Sequence, residues 1–203
     1  MQVDNYCERL APGLWGEPLN AFTNIAFLVA AVLLARRHAP PSVRVLPVLL
    51  ALVGLASLSF HTMATEFTGW LDTGFIAVFV LYYVVGYAHW FHGVRWSLAW
   101  LAAPVFVGFA FAIGLLVRVG PAIYLPALLV MIVLTGLADG YRAWFAAAAV
   151  VFAVSLTLRT VDEPLCAQWP AGTHFLWHLL NAVVLYLVTA AAITRSARAA
   201  SRS

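Results

Sequence analysis

His174 and His178 stand four residues apart in an apolar stretch, so on a helix both imidazoles leave from one side, one turn apart, and reach a single metal ion together. Ser57 and His61 repeat that spacing. Three neutral imidazoles from His61, His174 and His178 leave a tetrahedral zinc ion with a fourth position for water, the arrangement of a catalytic site and not of a closed structural one. Zinc lowers the pKa of its water to about 7 and polarises a carbonyl. Asp72 follows His61 by eleven residues, close enough once the chain turns to accept a proton from that water and return it to a leaving amine. Ser57 is suited to donate a hydrogen bond to the developing oxyanion. The alternative for Ser57 is a bond to its own backbone one turn earlier.

These groups must be carried by elements that cross lipid. Apolar runs fall at about 19–35, 43–62, 70–91, 97–117, 121–138, 143–159 and 173–194. Runs of roughly 20 residues suit helices, because hydrocarbon offers no partner for an unpaired backbone group. Of the 203 residues 64% are hydrophobic and 9% charged, and the mean hydropathy is +0.94, which excludes an ordinary soluble domain. The expected fold is all-α, an integral membrane bundle of seven transmembrane helices. It forms a single domain over 1–203, with 1–18 as an N-terminal cap segment and 195–203 as a tail. If passes alternate, His61, Asp72, His174 and His178 share one depth and one face, and ionisable groups inside membrane spans mark functional sites.

All eleven basic residues are arginine. Alternation puts Arg36, Arg37, Arg44, Arg95, Arg142, Arg195, Arg198 and Arg202 on one side, and Arg9, Arg118 and Arg159 on the other. The positive-inside rule then places the C-terminus in the cytoplasm and the N-terminus outside. This is a topology signal, so no nucleic-acid partner is expected, and no cleavable signal peptide precedes the first run. The arginine and alanine bias points to a GC-rich bacterial source and thus to the inner (plasma) membrane, with the site facing its extracytoplasmic side. Asp4, Glu8, Glu17, Glu66, Asp162 and Glu163 gather on the outer side. Cys7 and Cys166 do too, either as a disulfide on an oxidising face or as two unpaired thiols. His89 and His92 fall at the inner end of the third run and are read as headgroup-level residues without chemistry. Asp139, in Ala-Asp-Gly-Tyr, reads as a turn on the inner side.

Ser57-Leu-Ser-Phe-His61, then Asp72, then His174-Phe-Leu-Trp-His178 form a pattern, joined near the N-terminus by Asp4-Asn-Tyr-Cys-Glu8-Arg and Glu17-Pro-Leu-Asn20-Ala-Phe-Thr-Asn24. Over residues 4 to 190 the chain resembles the alkaline ceramidase family, within the superfamily of seven-helix membrane hydrolases that includes adiponectin-type receptors. The resemblance implies zinc on His61, His174 and His178, with Ser57 and Asp72 at the centre of an amidase that frees a fatty acid from a long-chain base. It also implies a calcium ion near the N-terminus, held by Glu8, Glu17, Asp4 or Asn5 and a backbone carbonyl near Tyr6. Here Asn5 stands where the family has an acid before the aromatic residue, and Asp4 comes one earlier; the alternative is that these acids solvate the N-terminus. Cys7 and Cys166 match a pair that the family bridges, Asn20 and Asn24 are expected behind the metal ligands, and Glu17 and Asn20, one turn apart at the start of the first helix, are placed to link the cap to the bundle.

The expected function is zinc-dependent hydrolysis of the N-acyl amide of ceramide, or of a ceramide-like N-acyl lipid entering sideways from the bilayer. A competing reading is a seven-helix receptor or sensor with a structural zinc, which needs neither Asp72 nor Ser57. A metal or proton transporter would spread polar groups across the bilayer, whereas here they stop at one end.

Overall fold

The computed structural model describes residues 1–3, 5–11, 13, 15–117 and 122–200; Asp4, Arg118 and Arg202 lie outside them. Among the described residues the chain is all-helical, with a single isolated bridge between Gln2 and Thr65. Pro18 opens α1 (Pro18–Thr23) in the first turn, where an N–H lacks an intrahelical partner anyway. At Asn24 the ladder is interrupted before α2 (Ile25–Ala35), because the Asn24 side chain takes the Asn20 carbonyl at 2.7 Å.

α3 (Pro41–Met63) and α4 (Glu66–His92) are joined by only Ala64 and Thr65. Ala64 sits in the left-handed region at φ 54°, a conformation costing an alanine about 1 kcal/mol. It is held there by its own N–H on the Phe60 carbonyl and by the Val3 N–H on its carbonyl at 2.8 Å. Thr65 then forms a capping box with Thr68, which starts α4 one turn before the apolar run at 70. The hairpin therefore places His61 and Asp72 on adjoining turns of two antiparallel helices. α4 ends at Gly93, whose φ of 69° is the left-handed cap that favours glycine.

The chain continues through α5 (Trp96–Ala99), α6 (Ala102–Leu116), a short turn at Ala122–Tyr124, α7 (Leu125–Leu137), α8 (Arg142–Val161) and α9 (His174–Ala200). α9 runs on to Ala200, into the stretch expected as a tail, since Ala and Arg are good helix formers. Among the described residues six helices are long and apolar enough to cross a membrane: Pro18–Ala35, Pro41–Met63, Glu66–His92, Trp96–Leu116, Arg142–Val161 and His174–Ala199. Ala122–Leu137 is apolar but shorter.

α9 packs against α8, α2, α3 and α4, around a core that includes Leu34, Leu46, Leu50, Phe79, Phe145 and Val184. α6 buries no residue and turns Val105, Phe111 and Leu116 outward. Exposed apolar side chains on this scale suit a lipid surround.

Candidate metal centre and its cavity

His61 leaves the last turns of α3, and His174 and His178 the first turns of α9. All three are buried, at 1%, 2% and 1% exposure. Their ligand atoms lie within 4.8 Å of one another, and the ring centroids are 4.6 to 5.1 Å apart. Among the described residues this is the one group of three His, Cys, Asp or Glu side chains close enough to share an ion.

Two of the three rings are held from behind. His61 Nδ1 lies 2.6 Å from Glu17 Oε2, so it donates to that carboxylate and leaves Nε2 with its lone pair; His61 Nε2 is buried and has no hydrogen-bond partner. His178 Nδ1 lies 3.0 Å from Thr23 Oγ1. The Thr23 hydroxyl is also 2.7 Å from the Leu19 carbonyl and 3.1 Å from that of Asn20, which can only accept. The hydroxyl proton therefore goes to a carbonyl, Nδ1–H of His178 donates to Thr23, and Nε2 is again a free base. This is how proteins fix the tautomer of a metal-binding imidazole. His174 is held through its backbone: Asp162 Oδ1 accepts from the N–H of Thr173 at 2.6 Å and of His174 at 2.9 Å, a carboxylate at the positive end of α9.

Behind the triad lies a charged layer from the N-terminal segment. Glu17 is fully buried and pairs with Arg9, while Asn20 Nδ2 donates to Glu17 Oε2 at 2.9 Å. The Arg9 guanidinium also lies over the Phe60 ring. Glu8 accepts from the N–H groups of Leu19 and Asn20 at 2.7 and 2.8 Å, capping α1. Burial raises the Glu8 carboxyl above its ordinary value, against the opposing pull of those two amides. Of the residues read as a calcium cage, Glu8 and Glu17 thus each turn to other partners, Asn5 is exposed, and Asp4 lies outside the described residues.

Tyr6 stacks on the His174 ring at 3.8 Å. Burial pushes its phenol up to about 12, against the pull of Arg159, so the ring is neutral at ordinary pH. Arg159 lies over Tyr6, Tyr124 and Trp177, with ring centroids 5.2 to 5.7 Å away. Cys7 and Cys166 are joined in a disulfide, their sulfurs 1.99 Å apart, and Cys7 N–H donates to Asp162 Oδ2 at 3.2 Å. Gly172, at φ 64°, passes so close that a Cβ would meet the Asp162 carboxylate and lie 2.8 Å from Cys7 Cβ.

On the other side of His178 opens a cavity of about 260 Å³ between α4, α6, α7 and α9. Ser57, Asp72, Thr73, Asn181 and His178 are its polar lining, and among the described residues Asp72 is the sole acid in its wall. Asp72 Oδ1 is buried without a hydrogen-bond partner, and Ser57 is near enough to interact with the same carboxylate. The rest is apolar, with Phe106, Val107, Ala110, Ile123 and Met131 among its walls. A smaller apolar cavity bounded by Phe79, Tyr83, Leu134 and Val188 shares Val80, Phe106, Ala127, Met131 and Leu185 with it and extends it along the bundle.

Thr23, Arg9, Arg159 and Asp162 were not singled out from sequence. Each acts on a residue far away along the chain, and only the separation of Glu17 from Asn20 by three residues hinted at such a network. Replacing Glu17 by glutamine leaves the Arg9 charge buried without its counter-ion. The expected loss of stability is about 3–5 kcal/mol, read as earlier thermal unfolding of the purified protein; an unchanged transition would mean that Arg9 is compensated elsewhere.

Compared with known proteins, the chain matches no family model and no curated protein.

Proposed function

We propose that this protein crosses the membrane seven times and hydrolyses the N-acyl amide bond of ceramide or a ceramide-like lipid, at a zinc ion held by His61, His174 and His178. One observation carries the reading: three buried imidazoles, two with Nδ1 tied back so that Nε2 is a free base, converge beside an apolar cavity that His178 lines and whose sole acid among the described residues is Asp72. Neutral nitrogen donors of this number suit zinc. Bound there, zinc would supply Lewis acidity toward a carbonyl and acidify water.

The chain's own residues do the rest. The apolar walls take an acyl chain and keep bulk water from the amide. Asp72 accepts the proton of the attacking water and gives it to the nitrogen as the carbon–nitrogen bond breaks, so the products are a fatty acid and a long-chain amine. Ser57, beside Asp72, donates to the oxygen on which charge develops. The arginines support an orientation with the histidine end outside, since Arg36, Arg37, Arg44, Arg95, Arg142, Arg195 and Arg198 sit at the opposite ends of their helices. Ala122–Leu137 would then be the seventh crossing, short enough to require local thinning of the bilayer.

The test is metal analysis of the purified protein, together with fatty-acid release from a panel of N-acyl sphingoid and other N-acyl lipids, before and after chelation. One zinc per chain and release that chelation abolishes are expected. A metal-free protein, or release indifferent to the chelator, would overturn the proposal. In the same preparation Thr23→Val removes the acceptor of His178 Nδ1–H and is expected to weaken zinc about 10-fold or more, measured by competition with a chromophoric chelator.

A further inference from the structure

The end of the bundle away from the histidines carries a second polar pocket, of about 310 Å³, between the ends of α4, α7 and α9 and the start of α8. Phe91, His92, Leu137, Asp139, Tyr141, Arg195 and Arg198 form most of its wall. Arg195 and Arg198 are three residues apart on α9 and so share a face. Arg195 reaches the Phe91 carbonyl at the end of α4, at 3.4 Å, and Arg198 lies over the Tyr141 ring at 5.6 Å. Tyr141 is 5% exposed and its hydroxyl is buried without a hydrogen-bond partner. The one carboxylate in the wall, Asp139, is drawn outward by Arg142 at 2.9 Å and is 89% exposed.

The surroundings have the same sign. Among the described residues, Asp139 is the only acid at this end of the molecule, against seven arginines at helix ends. Every other described acid belongs to the histidine end. A concave site with paired guanidinium groups, a ring nitrogen and an unsatisfied hydroxyl, at the level where an apolar bundle leaves the hydrocarbon, has the donors that a phosphate group takes. Exposed Leu137 on its rim offers apolar surface to chains that continue into lipid.

We propose that this pocket binds the phosphate headgroup of an anionic phospholipid, as a lipid site separate from the histidine cavity. The probe is phosphatidylglycerol, added to the full-length protein in neutral detergent, with binding read by native mass spectrometry and by the shift in thermal unfolding. Phosphatidylcholine and inorganic phosphate serve as the other arms. Phosphatidylglycerol is expected to bind and stabilise. Arg195→Gln with Arg198→Gln is expected to weaken it about tenfold or more, while Arg36→Gln, a change to an exposed arginine at the same end, leaves it unchanged. Tyr141→Phe, a smaller change, provides a second reading and is expected to weaken binding without lowering the unfolding temperature of the lipid-free protein. Equal binding of phosphatidylcholine, equal weakening by Arg36→Gln, or binding of inorganic phosphate as tight as that of the lipid would each overturn the proposal.

Discussion

Replacing His178 by alanine is expected to strip the purified protein of zinc and reduce fatty-acid release to background. Zinc sites with four protein ligands bind with about 10–16 kcal/mol, so one ligand accounts for several kcal/mol and its loss weakens binding by a hundredfold or more. His178 also carries the contact to Thr23 and stands edge-on to Phe27, so its removal leaves a gap of imidazole size between α1 and α9. Added imidazole is therefore expected to restore part of the metal and part of the activity. Rescue separates loss of a ligand from loss of the fold. A variant that keeps one zinc per chain would remove His178 from the centre.

Asp72→Asn is expected to behave in the opposite way, keeping its zinc and losing about 10²- to 10⁴-fold in turnover. Asp72 lies on α4 beside the triad but is not among the converging donors, and asparagine fills the same space in the cavity wall. What disappears is a base that accepts a proton and returns it to the leaving nitrogen. Metal analysis and single-turnover release, measured side by side, check both halves. Loss of zinc in step with turnover would make Asp72 a ligand and leave the proton transfer to another group.

The histidines could be read from sequence because the helical repeat translates a spacing of four residues into a shared face, and because a histidine in an apolar run has few other reasons to be there. Asp72 could be placed through its distance from His61, and the structure supplies the reason in the two-residue link at Ala64 and Thr65. Helix boundaries were less legible. Hydropathy sees where side chains become polar, whereas α4 begins at its capping box and α9 continues past the last apolar run through Arg195 and Arg198. The network behind the metal centre was hidden for a different reason. A buried Asp162 that caps α9 and a solvated acid on an outer loop have the same local sequence, and nothing near Thr23 or Arg9 announces a partner elsewhere in the fold.

The centre draws on segments far apart along the chain. Arg9, Glu17 and Thr23 come from the segment up to α1, and two of the three imidazoles from α9, about 150 residues later in the chain. Residues of α1 and α2 therefore complete their contacts only once α9 has entered the membrane. A chain cut short before His174 has a single imidazole at this place and no Asp162-capped helix to receive the rest. An ion held by all three imidazoles would accordingly report that α9 has docked against α1 and α3.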